Sequence, residues 1–237
     1  MINKPELIIM LTINDITVKN AYELFEQCRE SKAKIWGFKE EGIPFAEMKR
    51  LFAYMKKCGK TTVLEVVAYT EEKCMEGAIM AKECKCDMLI GTLFFDSINE
   101  FCKKNNIKYM PFIGKVSGRP SVLEGNAEDM IKEANKYLEK GVYGINILGY
   151  RYTGNPETLN KTLVSQINAP ICIAGSINSY QRLEEIKTIN PSFFTIGTAL
   201  FENKFNGTFS EQIDKVCDYI NSSTNDKIKN ERELVKC

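Results

Sequence analysis

Apolar residues gather along this chain in eight short, mostly unbroken runs. They are "LIIMLT" (7–12), "AKIWGF" (33–38), "TTVLEVVA" (61–68), "CDMLIGT" (86–92), "KYMPFIG" (108–114), "YGINILGY" (143–150), "PICIAGS" (170–176) and "SFFTIGT" (192–198). Runs of this length, apolar at consecutive positions, predict strands covered on both faces. Between them the spacing changes to that of helices. Tyr22, Leu24, Phe25 and Cys28 share one side of "NAYELFEQCRES", and Met48, Leu51, Phe52 and Met55 share one side of "FAEMKRLFAYMKKCG". Gly59 and Gly141 stand where helices over 45–58 and 127–140 would stop.

Strand followed by helix, eight times in 237 residues, predicts a single (β/α)₈ barrel, an α/β TIM barrel. An open doubly wound sheet is the rival, but it would want a Gly-rich turn after strand one, where this chain has "LTINDIT". The expected division is a barrel domain over 1–223 and a charged C-terminal tail over 224–237.

Composition narrows the chemistry. A net charge of +1, with Lys and Arg interspersed among Asp and Glu, gives no electrostatic footprint for nucleic acid or an anionic membrane. No apolar stretch approaches the roughly 18 residues of a membrane span. The start lacks a signal-peptide pattern, so a cytoplasmic protein is expected. Nine cysteines sit mostly in helix-face patterns, as buried thiols do, and the close pair Cys84 and Cys86 lacks the further ligands of a zinc site. No metal or cofactor is expected. The chain contains no histidine, which removes His-based triads and the usual general base near neutral pH. Chemistry must come from Lys, Glu, Asp, Tyr, Cys or the backbone.

Two neighbouring strands end alike, on Gly175-Ser176 and on Gly197-Thr198. In a barrel the loops after strands seven and eight form the usual phosphate cradle, since glycine lets a phosphate oxygen approach the backbone N–H groups. The segment "IAGSINSYQRLEEIKTINPSFFTIGTALFENKF" resembles the last quarter of the phosphate-binding (ribulose-phosphate-binding) barrels, which include two histidine-biosynthesis enzymes. That resemblance implies that Gly175, Ser176, Gly197 and Thr198 bind a phosphate. It does not extend to the isomerase reaction of those enzymes, which use acids at strands one and five. Here Thr12 ends strand one and Lys115 ends strand five. "GFKEEGIP", "VLEVV", "GRPSVLEG" and "YRYTGN" also resemble a bacterial barrel group sometimes labelled 4-hydroxythreonine-4-phosphate dehydrogenase. The enzyme properly so called binds a metal through histidines, and this chain has none.

Candidate groups follow from strand ends. Glu65 is a lone acid inside an apolar strand, which places it in the barrel mouth as a general base or in an internal salt bridge. Lys39 and Lys115 close strands two and five and are candidate catalytic acids, enolate stabilisers or anion holders. A Schiff base is the weaker option, since barrels that form one mostly carry the lysine on strand six. Arg119 in the long loop 115–130, Arg151 after strand six and an inward Asn146 are candidate substrate ligands. Asp15 is expected to cap the first helix.

The leading expectation is an enzyme acting on a small phosphorylated, sugar-phosphate-like metabolite. Glu65, Lys39 and Lys115 would perform acid–base chemistry beside a carbonyl, as in an isomerase, epimerase or carbon–carbon lyase. The alternative is a non-catalytic sensor of a phosphometabolite. Either is compatible with a homo-oligomer.

Overall fold

The computed structural model describes residues 4–222. The tail expected over 224–237 lies outside them. Eight parallel strands form the barrel: β1 (Glu6–Met10), β2 (Ile35–Lys39), β3 (Thr61–Glu65), β4 (Met88–Ile90), β5 (Lys108–Met110), β6 (Ile145–Ile147), β7 (Ile171–Ile173) and β8 (Phe193–Ile196). Their order around the sheet is β6-β7-β8-β1-β2-β3-β4-β5. A parallel bridge between Phe112 and Asn146 closes the ring at the β5–β6 seam. The rival open sheet is thereby set aside.

Helices α1 (Ala21–Cys28), α2 (Phe45–Lys57), α3 (Glu71–Glu83), α4 (Asp96–Lys104), α5 (Ala127–Glu139), α6 (Pro156–Gln166), α7 (Tyr180–Ile189), α8 (Thr198–Phe201) and α9 (Phe209–Asn221) surround it. The alternation of strand residues divides the core in two. Trp36, Phe38, Leu64 and Leu89 join the helix layer, while Ile8, Met10, Val63, Met88, Ile90 and Met110 fill the barrel. Seven of the eight described cysteines are buried and all eight are free. Burial pushes the Cys102 and Cys217 thiols up to about 12, which makes them packing groups and not nucleophiles.

Two hairpins rise from the C-terminal rim. One pairs Thr12–Ile13 with Ile16–Thr17 through the two-residue turn Asn14-Asp15. Both turn residues have positive φ, 51° and 65°, as a type I′ turn demands, and Asn and Asp are among the few side chains that tolerate it. The other pairs Lys115–Ser117 with Val122–Glu124. The long loop expected over 115–130 is thus a β-hairpin followed by the start of α5.

Candidate functional site at the barrel mouth

The first hairpin is pinned over the end of β2. The Thr17 hydroxyl donates to the Lys39 carbonyl at 2.8 Å and accepts from the Lys39 N–H at 3.0 Å. This clamp brings Asp15 to the mouth, and Asp15 does not cap α1, whose N-cap is Asn20. β2 and β3 are paired over five residues, with Lys39 opposite Glu65. Side by side and inward-facing, the two side chains are 7% and 10% exposed.

An alternating line of charge results. The Lys39 Nζ stands 2.9 Å from Asp15 Oδ1 and 3.8 Å from Glu65 Oε2. The Arg151 guanidinium grips the other side of Asp15 through two hydrogen bonds of 3.2 and 3.3 Å. Burial works against the Lys39 charge, but Glu65 and Asp15 outweigh it and hold its pKa above that of an ordinary lysine. Asp15 shows the mirror case. Burial would raise its pKa, yet hydrogen bonds from Arg151 and Lys39 win and keep it lowered. Lys39 is therefore held as an ammonium, suited to stabilise negative charge and poorly suited to nucleophilic attack. Glu65 is the acid farther from that ammonium.

These residues line a cavity of about 690 Å³, together with Gly175, Ser176, Thr198 and Ala199. Gly175 and Ser176 both have positive φ, 86° and 50°. The latter is uncommon for a residue with a Cβ and characteristic of a constrained site. Among the described residues, the backbone N–H groups of Ser176, Ile177, Thr198 and Ala199 donate to no protein acceptor. The Arg182 side chain donates to the Ser176 carbonyl and lies over the Tyr150 ring, fixing the turn from behind.

Gly197 has a reason beyond anion approach. A Cβ there would lie 2.8 Å from Thr12 Oγ1 and 3.1 Å from the Met10 carbonyl oxygen, so glycine is required for β8 to meet the end of β1.

Of the predicted site residues, Glu65, Lys39, Arg119, Arg151, Gly175, Ser176, Gly197 and Thr198 meet at this cavity. Two do not. The chain leaves β5 at Met110, bridges at Phe112, and turns at Gly114 with φ 76°, carrying Lys115 onto the hairpin. There its side chain is 75% exposed and faces Glu124 at 3.4 Å. Asn146 points into the barrel as expected but does not line the cavity; it is fully buried, with neither amide atom hydrogen-bonded among the described residues. Arg119 reaches the rim already paired with Glu41 at 2.8 Å. Asp15 is the residue that sequence reasoning missed. Its signal was the Asn-Asp pair flanked by "TI" and "IT", a two-residue hairpin pattern.

Among the described residues, no three His, Cys, Asp or Glu side chains gather as a metal site. No described helix is long and apolar enough to cross a membrane.

The architecture and mouth define a (β/α)₈ barrel. Solved structures share that fold over nearly the whole chain. Orotidine 5′-phosphate decarboxylase from Pyrococcus horikoshii OT3 matches with a TM-score of 0.66 at 9% identity, covering 92% of this chain and 100% of that one. N-acetylmannosamine-6-phosphate 2-epimerase from Clostridium perfringens matches at 0.63 and 12% identity, covering 90% and 92%. The glycerol uptake operon antiterminator regulatory protein from Listeria monocytogenes str. 4b F2365 matches at 0.57 and 13%, covering 83% and 95%. No family model matches, and no curated protein does. The 4-hydroxythreonine-4-phosphate dehydrogenase label finds no support in these comparisons.

Proposed function

We propose that the mouth binds a small phosphorylated metabolite and transfers a proton beside its carbonyl group. In this scheme the phosphoryl group sits on the free N–H groups of the 175–177 and 198–199 turns. Glu65 takes the proton, and the Lys39 ammonium stabilises the enolate oxygen that forms. Asp15 holds Lys39 and Arg151 in place. Isomerisation, epimerisation and carbon–carbon cleavage all begin with such an enolate. The observation that carries the proposal is the line Arg151–Asp15–Lys39–Glu65 in the same cavity as two turns with unspent N–H donors. Two of the structural neighbours are named for phosphorylated substrates.

The test has two arms. Calorimetric titration with inorganic phosphate and sugar phosphates should show binding by the parent. Thr198→Asp, which puts a negative charge at the anchor while suiting the first turn of α8, should weaken it at least ten-fold. Proton exchange from a bound keto-phosphate in D₂O, followed by NMR, should then stop in Glu65→Gln while binding persists. Equal affinity in folded Thr198→Asp would remove the phosphate anchor.

The sensor alternative has its own observation. The four charges of the line neutralise one another, and the same fold serves a regulatory protein. Binding without any exchange, by parent and Glu65→Gln alike, would select it.

A further inference from the structure

Cys84 and Cys86 flank Lys85 where α3 hands over to β4, at the end of the barrel away from the mouth. Both side chains are buried, at 4% and 5% exposure, and both are free thiols. The chain turns here on a left-handed residue. Lys85 has φ 56°, and the N–H groups of Lys85 and Cys86 donate to the Lys82 and Ala81 carbonyls, as in a Schellman cap. Helices α2, α4, α5 and α7 end in the same conformation on Gly59, Asn106, Gly141 and Asn190, residue types that tolerate it. At α3 the place is held by a lysine, which adopts this backbone at a cost.

That turn sets the spacing of the two cysteines. A left-handed residue mirrors a helical one, so the Cα atoms on either side of Lys85 stand about 5.4 Å apart by helix geometry. Disulfides span about 4.4–6.8 Å between Cα atoms. The sulfurs also meet, since the Cys86 thiol donates a hydrogen bond to the Cys84 sulfur.

We propose that Cys84 and Cys86 form a redox-active dithiol, closed into a disulfide by a peroxide and reopened by a reducing dithiol. In the first step the Cys84 sulfur attacks one oxygen of hydrogen peroxide and the O–O bond breaks. The departing hydroxide takes up the Cys84 proton and leaves as water, with a sulfenic acid remaining on Cys84. The Cys86 sulfur then attacks the Cys84 sulfur, the S–O bond breaks, and a second water leaves with the Cys86 proton. Two thiols and one peroxide become one disulfide and two waters, with two electrons passed from sulfur to oxygen. The reducing dithiol reverses the closure by exchange and ends as its own disulfide.

The two sulfurs differ as an attacking and a resolving thiol should. At Cys84 the hydrogen bond from Cys86 outweighs burial, Lys49 adds to it, and the thiol is held below the ordinary cysteine value. Burial, and then the bond to Cys84, pushes the Cys86 thiol up. Cys28 and Cys74, buried in the same layer, are pushed up to about 11. Cys84 also lies beside Lys49 and Glu83, a half-exposed pair, and next to the exposed Lys85, which gives a small oxidant a short path to it.

The test involves nothing at the mouth, so it stands apart from the phosphate proposal. The reduced protein is treated with a single equivalent of hydrogen peroxide, alkylated and digested with trypsin. A bond between the two cysteines keeps the segments on either side of Lys85 joined and lighter by two hydrogens, whether or not the chain is cut there. That product should form at least ten-fold faster than oxidation at Cys28, Cys74, Cys102 or Cys217, and dithiothreitol should abolish it. In Cys86→Ser the closure should fail, and dimedone should trap a sulfenic acid on Cys84. The parent digest decides the matter even where that variant does not fold. Cys84 and Cys86 remaining separate, Cys84 passing to a sulfinic acid without joining its neighbour, or oxidation no faster than at the other buried thiols would each overturn the proposal.

Discussion

The two ends of the barrel invite comparison, because the larger cavity is at the wrong one. About 1060 Å³ opens at the N-terminal ends of the strands, lined by residues such as Lys4, Lys34, Tyr143, Pro170 and Ser192. Its charged residues face outward. Lys32, for example, spends its amine on Asp218 at 2.6 Å, with both side chains half-exposed or more. The mouth is smaller, yet four charged side chains of alternating sign are drawn together there and mostly withdrawn from water. What marks a site is the electrostatic cost of assembling it, and volume is a poor guide.

The largest expected effect separates these two ends directly. Lys39→Ala leaves Asp15 and Glu65 without their shared cation and should cost about 3–5 kcal/mol in urea denaturation. Lys32→Ala at the other end should leave the midpoint where it was, since a solvated surface pair contributes little. Similar losses at both positions would abolish the distinction.

Gly197→Val comes next. Overpacking against Thr12 and the Met10 carbonyl should cost about 1–3 kcal/mol. An undiminished denaturation midpoint would show that β1 and β8 are not in the close contact described.

A smaller effect should appear in acid. Asp15 has a folded pKa below its ordinary 3.8, so its contribution is present above that pH and lost as the pH falls through the lowered value. Lys39 is the converse case, stabilising below 10.5 and ceasing to do so as the pH rises through its raised value. Denaturation midpoints measured from pH 5 down to pH 2 should fall less steeply in Asp15→Asn than in the parent. Parallel curves would mean the Arg151 and Lys39 contacts contribute nothing to Asp15 ionisation.

The smallest effect sharpens the boundary of the mouth. Lys115→Ala should change neither phosphate affinity by calorimetry nor the denaturation midpoint, because its amine is exposed outside the cavity. A ten-fold loss of affinity would bring it back into the site.

The contrast between Lys39 and Lys115 also shows how far the sequence could be followed. Both close an apolar run, and both were natural candidates for the rim. Strand alternation alone places Lys39 and Glu65 inward, since β2 and β3 run straight to their ends and pair throughout. Lys115 escapes that logic because Gly114 turns the chain away from the barrel, and no local pattern distinguishes that turn from a strand end. Asp15 was legible in principle through its hairpin signature. Glu40 was not: inside "KEEG" it looks like one more solvated acid, yet its Oε1 accepts from the Val67 N–H, distant in sequence. The barrel itself was readable because its eight apolar runs are a repeated local signal.

The β5–β6 seam carries a consequence of its own. β2 and β3 share five paired positions, whereas the ring is closed by one bridge and by amides from Tyr143 and Asn146 that reach the Tyr109 and Pro111 carbonyls. Local opening is least costly where the fewest bonds must part. In deuterated water, then, the protein should exchange like a garment with one weak stitch. The amides of Tyr143, Gly144 and Asn146 would lose their protons earliest among the barrel strands, while the wall of β2 and β3 that carries Lys39 and Glu65 holds its protons longest.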